Sequence, residues 1–144
     1  MRRIVAFLFA VALVTILCVP VLGAEYASQV NVFAVVSQDE SCQVTVTAAL
    51  HVENADSQLR FPVPAEATAV TLNGTRVWTS KSDQVQYINV SDATRNMVGD
   101  FTVTISYGLP DVIHSSEAEL PQLQLPLLSG FSYSVDKAFL DLCI

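Results

Sequence analysis

Two histidines, His51 and His114, are the side chains of this 144-residue sequence best suited to acid–base chemistry near neutral pH. His51 falls on the polar face of a predicted strand and His114 in a predicted loop, and no metal-ligand spacing links them. The carboxylates are scattered, without the spacing of a calcium loop. The sequence also lacks a glycine-rich phosphate loop and a Gly-x-Ser-x-Gly elbow. It therefore predicts no catalytic residue, metal or cofactor, and we expect no enzyme.

The cysteines allow two interpretations. Cys42 and Cys143 are the two that lie outside the apolar N-terminal segment, and an exported pair of this kind can form a disulfide. Closing a loop of about 100 residues would stabilise the fold by up to ~4.7 kcal/mol in the entropic treatment. The alternative is that Cys42, on the apolar face of its strand, packs as a small hydrophobic side chain.

Two aromatic residues suggest a binding surface. Trp78 and Tyr87 can share one sheet face and stack on a sugar ring, because the apolar faces of sugars pack on aromatic rings with polar groups at the rim. The alternative is a pair of core or half-exposed aromatics.

Two asparagines lie in glycosylation sequons, Asn73-Gly74-Thr75 and Asn89-Val90-Ser91. Asn73 also begins a predicted turn, which accounts for its residue type. Asn89 matters as an acceptor only in a host that attaches sugars to asparagine.

Composition limits the class of protein that must hold these residues. The chain carries 7 Lys and Arg against 14 Asp and Glu, a net charge of -7. Without Arg2 and Arg3, 5 basic residues face 14 acidic ones, which leaves -9. A surface this acidic repels phosphate backbones, so no nucleic-acid partner is expected.

Residues 1–24 have the pattern of a secretory leader. Positive residues at the start precede a short apolar stretch from Ile4, a proline and small residues. We expect an N-terminal signal helix cleaved after Ala24, with cleavage after Gly23 as the alternative. The protein is then exported to the extracellular space or cell envelope. An uncleaved leader is the other possibility, in which case residues 4–22 would contact the membrane.

The remainder, residues 25–144, has the alternation of β-strands. From Cys42 to Glu53 apolar and polar residues alternate without interruption, and Phe101 to Tyr107 repeats the pattern. Ser37–Glu40 is predicted to turn the preceding strand, 30–36, back onto 42–52, which forms an N-terminal hairpin. Asn73-Gly74 predicts a second hairpin with a type I′ turn.

The remaining segments complete the predicted fold. Strands are expected at 84–90 and 133–142, an edge strand at Phe61–Pro64, and loops at 91–99 and 108–122. Six to eight short strands predict a single antiparallel β-sandwich, immunoglobulin-like or related. The last apolar run, which ends at Ile144, either completes the sandwich or marks a chain that continues beyond it.

Three of these segments resemble a known family. The run Leu59–Pro64, the run Val70–Gly74 and the strand 101–107 are similar to the N-terminal extracellular domain of a family of predicted bacterial membrane proteins of unknown function. The resemblance implies a signal peptide followed by a β-sandwich, and in such relatives a later membrane anchor. It implies no catalytic residues.

Taken together, these features predict an exported, non-enzymatic β-sandwich of the cell envelope or surface, with a structural or protein-interaction role and an unknown protein or cell-surface partner. A carbohydrate-binding module using Trp78 and Tyr87 is the alternative, and a secreted hydrolase is a weaker one.

Overall fold

The computed structural model describes residues 25–54, 58–82, 85–91, 98–114, 122, 123, 131 and 133–144. The predicted leader and its cleavage site after Ala24 lie outside the described residues. The described residues contain twelve strands and no helix. The strands are β1 (Tyr26–Val36), β2 (Cys42–Val52), β3 (Arg60–Pro64), β4 (Thr68–Leu72), β5 (Thr75–Arg76), β6 (Thr79–Ser82), β7 (Val85–Asn89), β8 (Gly99–Leu109), β9 (Ile113–His114), β10 (Gln122–Leu123), β11 (Ser134–Val135) and β12 (Ala138–Cys143).

The large sheet has the strand order β11-β1-β2-β8-β4-β5, and β12 also pairs with β1. The β1–β2 hairpin confirms the first predicted turn, because Val36 pairs with Cys42 across it. The β2–β8 pairing is antiparallel over the full length of both strands. The period-two pattern therefore predicted the centre of the fold.

Alternation along β2 sorts its side chains between core and surface. Val44, Val46 and Ala48 are fully buried, whereas the residues between them are half-buried or exposed. Burial of each valine contributes about 1.5–3 kcal/mol. One face of the large sheet is thus the wall of the core.

A second sheet, β3-β7-β6, contributes to the same core. Phe61, Val63 and Ile88 are buried from this side. Gln86 is buried among them with its amide satisfied: Nε2 donates to Ala65 O at 2.6 Å and Ala67 O at 3.1 Å, and Oε1 accepts from Thr79 Oγ1 at 2.6 Å. Among the described strands β3 pairs with β7 alone, so it is an edge strand, as its prolines predict.

The Asn-Gly turn is present as predicted. Asn73 has a φ of 50° and Gly74 a φ of 78°, the left-handed conformations that a type I′ hairpin needs. Asn73 also ties the turn to β8, because its N–H donates to Thr104 O at 2.7 Å and its Oδ1 accepts from Thr104 N at 2.8 Å.

The C-terminal region differs from the sequence prediction. The single strand expected at 133–142 is two strands, β11 and β12, and both run parallel to β1. Asp136 and Lys137 separate them, and their main chains bond to β1 at Ala27 and Val30. The expected loops at 91–99 and 108–122 are also interrupted, since β8 extends over 99–109 and β9 pairs with β10.

The predicted fold class is confirmed: the described chain is all-β, and its sheets are antiparallel except where β11 and β12 join β1. Two sheets enclose one hydrophobic core, as in a β-sandwich.

Within the described residues, the structure contains no helix with the length and hydropathy of a transmembrane span.

Candidate functional site

Strand register places Trp78 and Tyr87 on the outward face of the small sheet. Arg60 pairs with Asn89, and Thr79 pairs with Ile88, so Trp78 falls in the row of Arg60 and Asn89. Tyr87 lies two residues from Asn89 along β7 and therefore on the same face, opposite Ser80. Arg60, Asn89 and Trp78 are all exposed, as an outward row requires.

The two aromatic residues line one cleft of about 260 Å³, which we call the aromatic cleft. Gln58, Arg60 and Asn89 contribute amide and guanidinium groups to it. Arg60 Nη2 donates to Gln58 Oε1 at 3.3 Å, so the two side chains are held together. Aromatic faces with amide and charged groups at the rim can hold a ligand that has an apolar face and polar edges.

Trp78 also borders a larger cleft of about 650 Å³, the bulge cleft. Its lining includes Arg76, Ala67 and the buried Gln86. Ala69, also in the lining, has a φ of 51°, and the β4–β8 register shifts between Thr68 and Thr71. A non-glycine residue in this conformation costs about 1–3 kcal/mol, and such residues concentrate at functional sites.

The exposure of Trp78 separates it from a core aromatic. Its side chain is 98% exposed, the largest value among the exposed large hydrophobic residues of the described chain. Tyr87 is half-buried. Sequence reasoning identified both aromatics but missed Gln58, Arg60 and Arg76, since only the strand pairing brings these residues together.

The two sequon asparagines have different surroundings. Asn73 is held by β8 through its amide oxygen. Asn89 lines the aromatic cleft, and its Oδ1 accepts from Ser91 N at 3.2 Å. Ser91 is buried, and its hydroxyl accepts from Leu59 N at 3.0 Å. A glycan on Asn89 would be attached in the lining of the aromatic cleft, which Trp78 shares.

Cys42 and Cys143 are free thiols, so the structure lacks the disulfide between them that the sequence allows. Cys42 pairs with Val36, and Cys143 pairs with Val35, so strand β1 lies between them. Two strand spacings of about 4.8 Å exceed the ~7 Å limit between bridged Cα atoms. Adjacent partners on β1 also direct the two side chains to opposite faces. The second interpretation holds: Cys42 packs in the core, where burial raises the pKa of its thiol.

His51 contacts two carboxylates. Its Nδ1 lies 2.6 Å from Asp100 Oδ1, its Nε2 lies 3.8 Å from Glu53 Oε1, and its ring stacks on Tyr26 at 5.1 Å. The hydrogen bond to Asp100 raises the pKa of His51 most. His114 is in β9, with a side chain outside the described part of the structure. In that described part, no three His, Cys, Asp or Glu residues are grouped to hold a metal ion.

Strand β12 carries an exposed apolar surface, which we call the edge surface. Val32 and Ala34 on β1 are buried, yet their register partners Leu140 and Leu142 are 53% and 42% exposed. The face that is core at β1 is therefore open to solvent one strand further out. Ile144, at the end of the chain, is also exposed. Phe139 on β12 and Phe33 on β1 are exposed too, but they alternate with the leucine row and therefore lie on the opposite face of the sheet.

Comparison with known proteins shows distant structural likeness alone. No family model matches the chain, and no curated protein matches it. Among solved structures it is similar to an M1 zinc metallopeptidase of Deinococcus radiodurans (E323A mutant), with 12% sequence identity and a TM-score of 0.36. The match covers 60% of this chain and 20% of that one. Native yeast LTA4 hydrolase is 15% identical with a TM-score of 0.41, and the match covers 60% of this chain and 15% of that one. Legionella pneumophila aminopeptidase A in complex with aspartic acid is 11% identical with a TM-score of 0.38, and the match covers 65% of this chain and 12% of that one. The chain thus spans about a fifth or less of the length of these peptidases.

Proposed function

We propose that residues 25–144 act as an exported, non-catalytic interaction domain of the cell envelope or cell surface. The leader pattern of residues 1–24 supports export. The lack of catalytic motifs in the sequence supports a non-catalytic role. The observation that carries the interaction role is the edge surface on β12.

This strand offers a partner both main-chain and apolar contacts. Among the described strands, only β1 pairs with β12, so the outer main-chain groups of β12 remain available to a further strand. A partner strand would bond to them and cover Leu140 and Leu142. Covering the exposed half of each leucine contributes about 1 kcal/mol. The matching partner is an extended protein segment with apolar side chains and a basic residue opposite Asp141.

Charge on the edge surface tests this proposal. In the native host, wild-type protein is expected in the envelope fraction, and Leu140→Lys is expected to be released from it. Val98→Lys is the matched control, because Val98 is 59% exposed and lies outside β12. Both changes replace exposed side chains, so circular dichroism should show folded protein. Retention of Leu140→Lys, or equal release of Val98→Lys, would contradict the proposal.

Carbohydrate binding is a second candidate function, favoured by the exposure of Trp78 beside Tyr87 in one cleft. A sugar ring would stack on the indole, with its hydroxyls bonded to Gln58 and Asn89. Envelopes and cell surfaces are rich in glycans, so both functions suit one exported domain.

Trp78→Ala tests the second candidate, because it removes the indole on which the sugar ring would stack. Trp78 is the only tryptophan in the chain. The variant should lose affinity for the glycan and keep its free energy of unfolding within about 0.5 kcal/mol. Ile88→Ala, a fully buried control, should instead lose about 2–5 kcal/mol. A large loss of stability in Trp78→Ala would return this residue to a structural role.

A further inference from the structure

Trp78 is shared by the two clefts: Arg60 lines the aromatic cleft with it, and Arg76 lines the bulge cleft with it. A ring stacked on Trp78 would place its two neighbours over these clefts. The guanidinium groups would then face the neighbouring rings of a chain-like ligand.

Both arginines are available to an anionic ligand. Neither forms an ion pair with a carboxylate of the described residues, and the described lining of the two clefts contains no Asp or Glu. Arg60 uses one N–H on Gln58, and a guanidinium has five. Planar guanidinium groups bind carboxylates through paired hydrogen bonds.

The surroundings make this local charge distinct. Behind the leader, 5 basic residues stand against 14 acidic ones, and two of the five line the clefts that share the exposed Trp78. An acidic molecule would repel a densely charged polymer, whereas two arginines match two isolated negative charges. This favours a glycan with separated carboxylates over a nucleic acid.

The backbone that lines the bulge cleft beside Trp78 has an irregular conformation. The strained Ala69 and the β4 bulge form part of the bulge cleft, and Gln86 in its lining is fixed by three hydrogen bonds. Bulges are frequent at sheet edges and next to active sites, where they redirect a side chain. The cleft beside Arg76 is thus built on a held framework.

We propose that Arg60, Trp78 and Arg76 bind an acidic glycan, with a sugar ring on the indole and a uronic-acid carboxylate on each arginine. The inference rests on the carbohydrate-binding function proposed above and adds the ligand class. The carboxylates remain ionised and no covalent step occurs.

Tryptophan emission from Trp78 measures binding directly. The first ligands are hexasaccharides of hyaluronan, which carries a carboxylate on every second ring, and of polygalacturonate. Their carboxyl methyl esters serve as neutral matched ligands. We expect at least one acid to bind at least tenfold more tightly than its ester, with a preference that falls as salt rises.

Three variants separate charge from stacking. Arg60→Gln and Arg76→Gln should each weaken binding of the acid by roughly fivefold and leave binding of the ester unchanged. Lys81→Gln, an exposed change on β6 outside the described lining of both clefts, should have no effect. Trp78→Ala, followed by calorimetry, should abolish binding of both ligands.

The two levels of the proposal fail differently. If none of these acids or esters changes Trp78 emission, both the ligand class and the carbohydrate-binding function are wrong. If an ester binds as tightly as its acid, or if Lys81→Gln acts like the arginine variants, the acidic-ligand inference alone is wrong. Tighter binding of an oligothymidylate than of any glycan would also overturn it.

Discussion

His51 is the residue whose charge depends most clearly on the fold. Strand pairing places it between Tyr26 on β1 and Asp100 on β8. A carboxylate only accepts hydrogen bonds, so the ring nitrogen at 2.6 Å donates, and a positive imidazole is favoured. The pKa of His51 is therefore raised above 6.5.

Asp100→Asn should lower the His51 pKa toward 6.5, because it removes the main cause of the shift. NMR titration measures this pKa, and His51→Gln identifies the resonance. Asp111→Asn, beyond the opposite end of β8, is the control and should change little. An unchanged pKa in Asp100→Asn would show that the contact does not govern titration.

The same contact sets the sign of a pH effect on stability. The folded state holds the proton more tightly than the unfolded chain, so protonated His51 stabilises the fold. This contribution is fully present below about pH 6.5 and is lost as the pH rises through the raised pKa. Denaturant unfolding of wild type and His51→Gln should differ most near about pH 5 and converge at alkaline pH. A difference that grows with pH would contradict this.

Asn73 combines a left-handed backbone with a side-chain bond to β8. Asn73→Gly keeps the backbone and loses the bond, which should cost about 1 kcal/mol. Asn73→Ala loses the bond and strains the turn, for a total of about 2–3 kcal/mol. Urea unfolding measures both variants, and equal losses would show that the backbone conformation is unimportant.

Residue types predicted some of these details and not others. Asn73-Gly74 defines its turn locally, so the sequence predicts it. The exposure of Trp78 depends on where β5 ends and β6 begins, and the grouping with Arg60 depends on the register of β3, β7 and β6. Neither is encoded in the neighbouring residues alone.

At the scale of the elements, the pairing of the C-terminal strand β12 decides which of its side chains are exposed and how reactive the thiol of Cys143 is. It pairs in parallel with β1, a contact between segments more than 100 residues apart in the sequence. The apolar pattern predicts a strand there, but it does not specify the partner or the direction. The sequence left the Cys42–Cys143 disulfide open for the same reason, because only the pairing of β12 with β1 shows that the two cysteines are separated.

Thiol reactivity follows from this arrangement. In protein without the leader, Cys143 should react rapidly with a maleimide, because it is exposed at the end of β12. Cys42 should react only on unfolding, since it is buried and burial raises its pKa. Cys143→Ser should remove the rapid phase. Two unreactive thiols that appear only after reduction would indicate a disulfide.

At the scale of the whole molecule, two sheets that pack on one core present two separate surfaces, the edge surface and the aromatic cleft. Alternating apolar residues in β2 and β8 predicted the fold class, because a sheet with one wet face needs a cover on the other. The face of β12 that continues this core remains open, and it supports the proposed interaction role. The aromatic cleft lies on the outward face of the other sheet.

Hydrogen exchange tests the central claim most directly. Exchange at residues 138–143 would be compared between protein purified alone and the same protein bound in its native envelope fraction. We predict slower exchange of β12 in the bound protein, with β2, which lies outside the described lining of both clefts, unchanged as an internal control. Equal exchange of β12 in the two samples would contradict the proposal that this strand receives a partner.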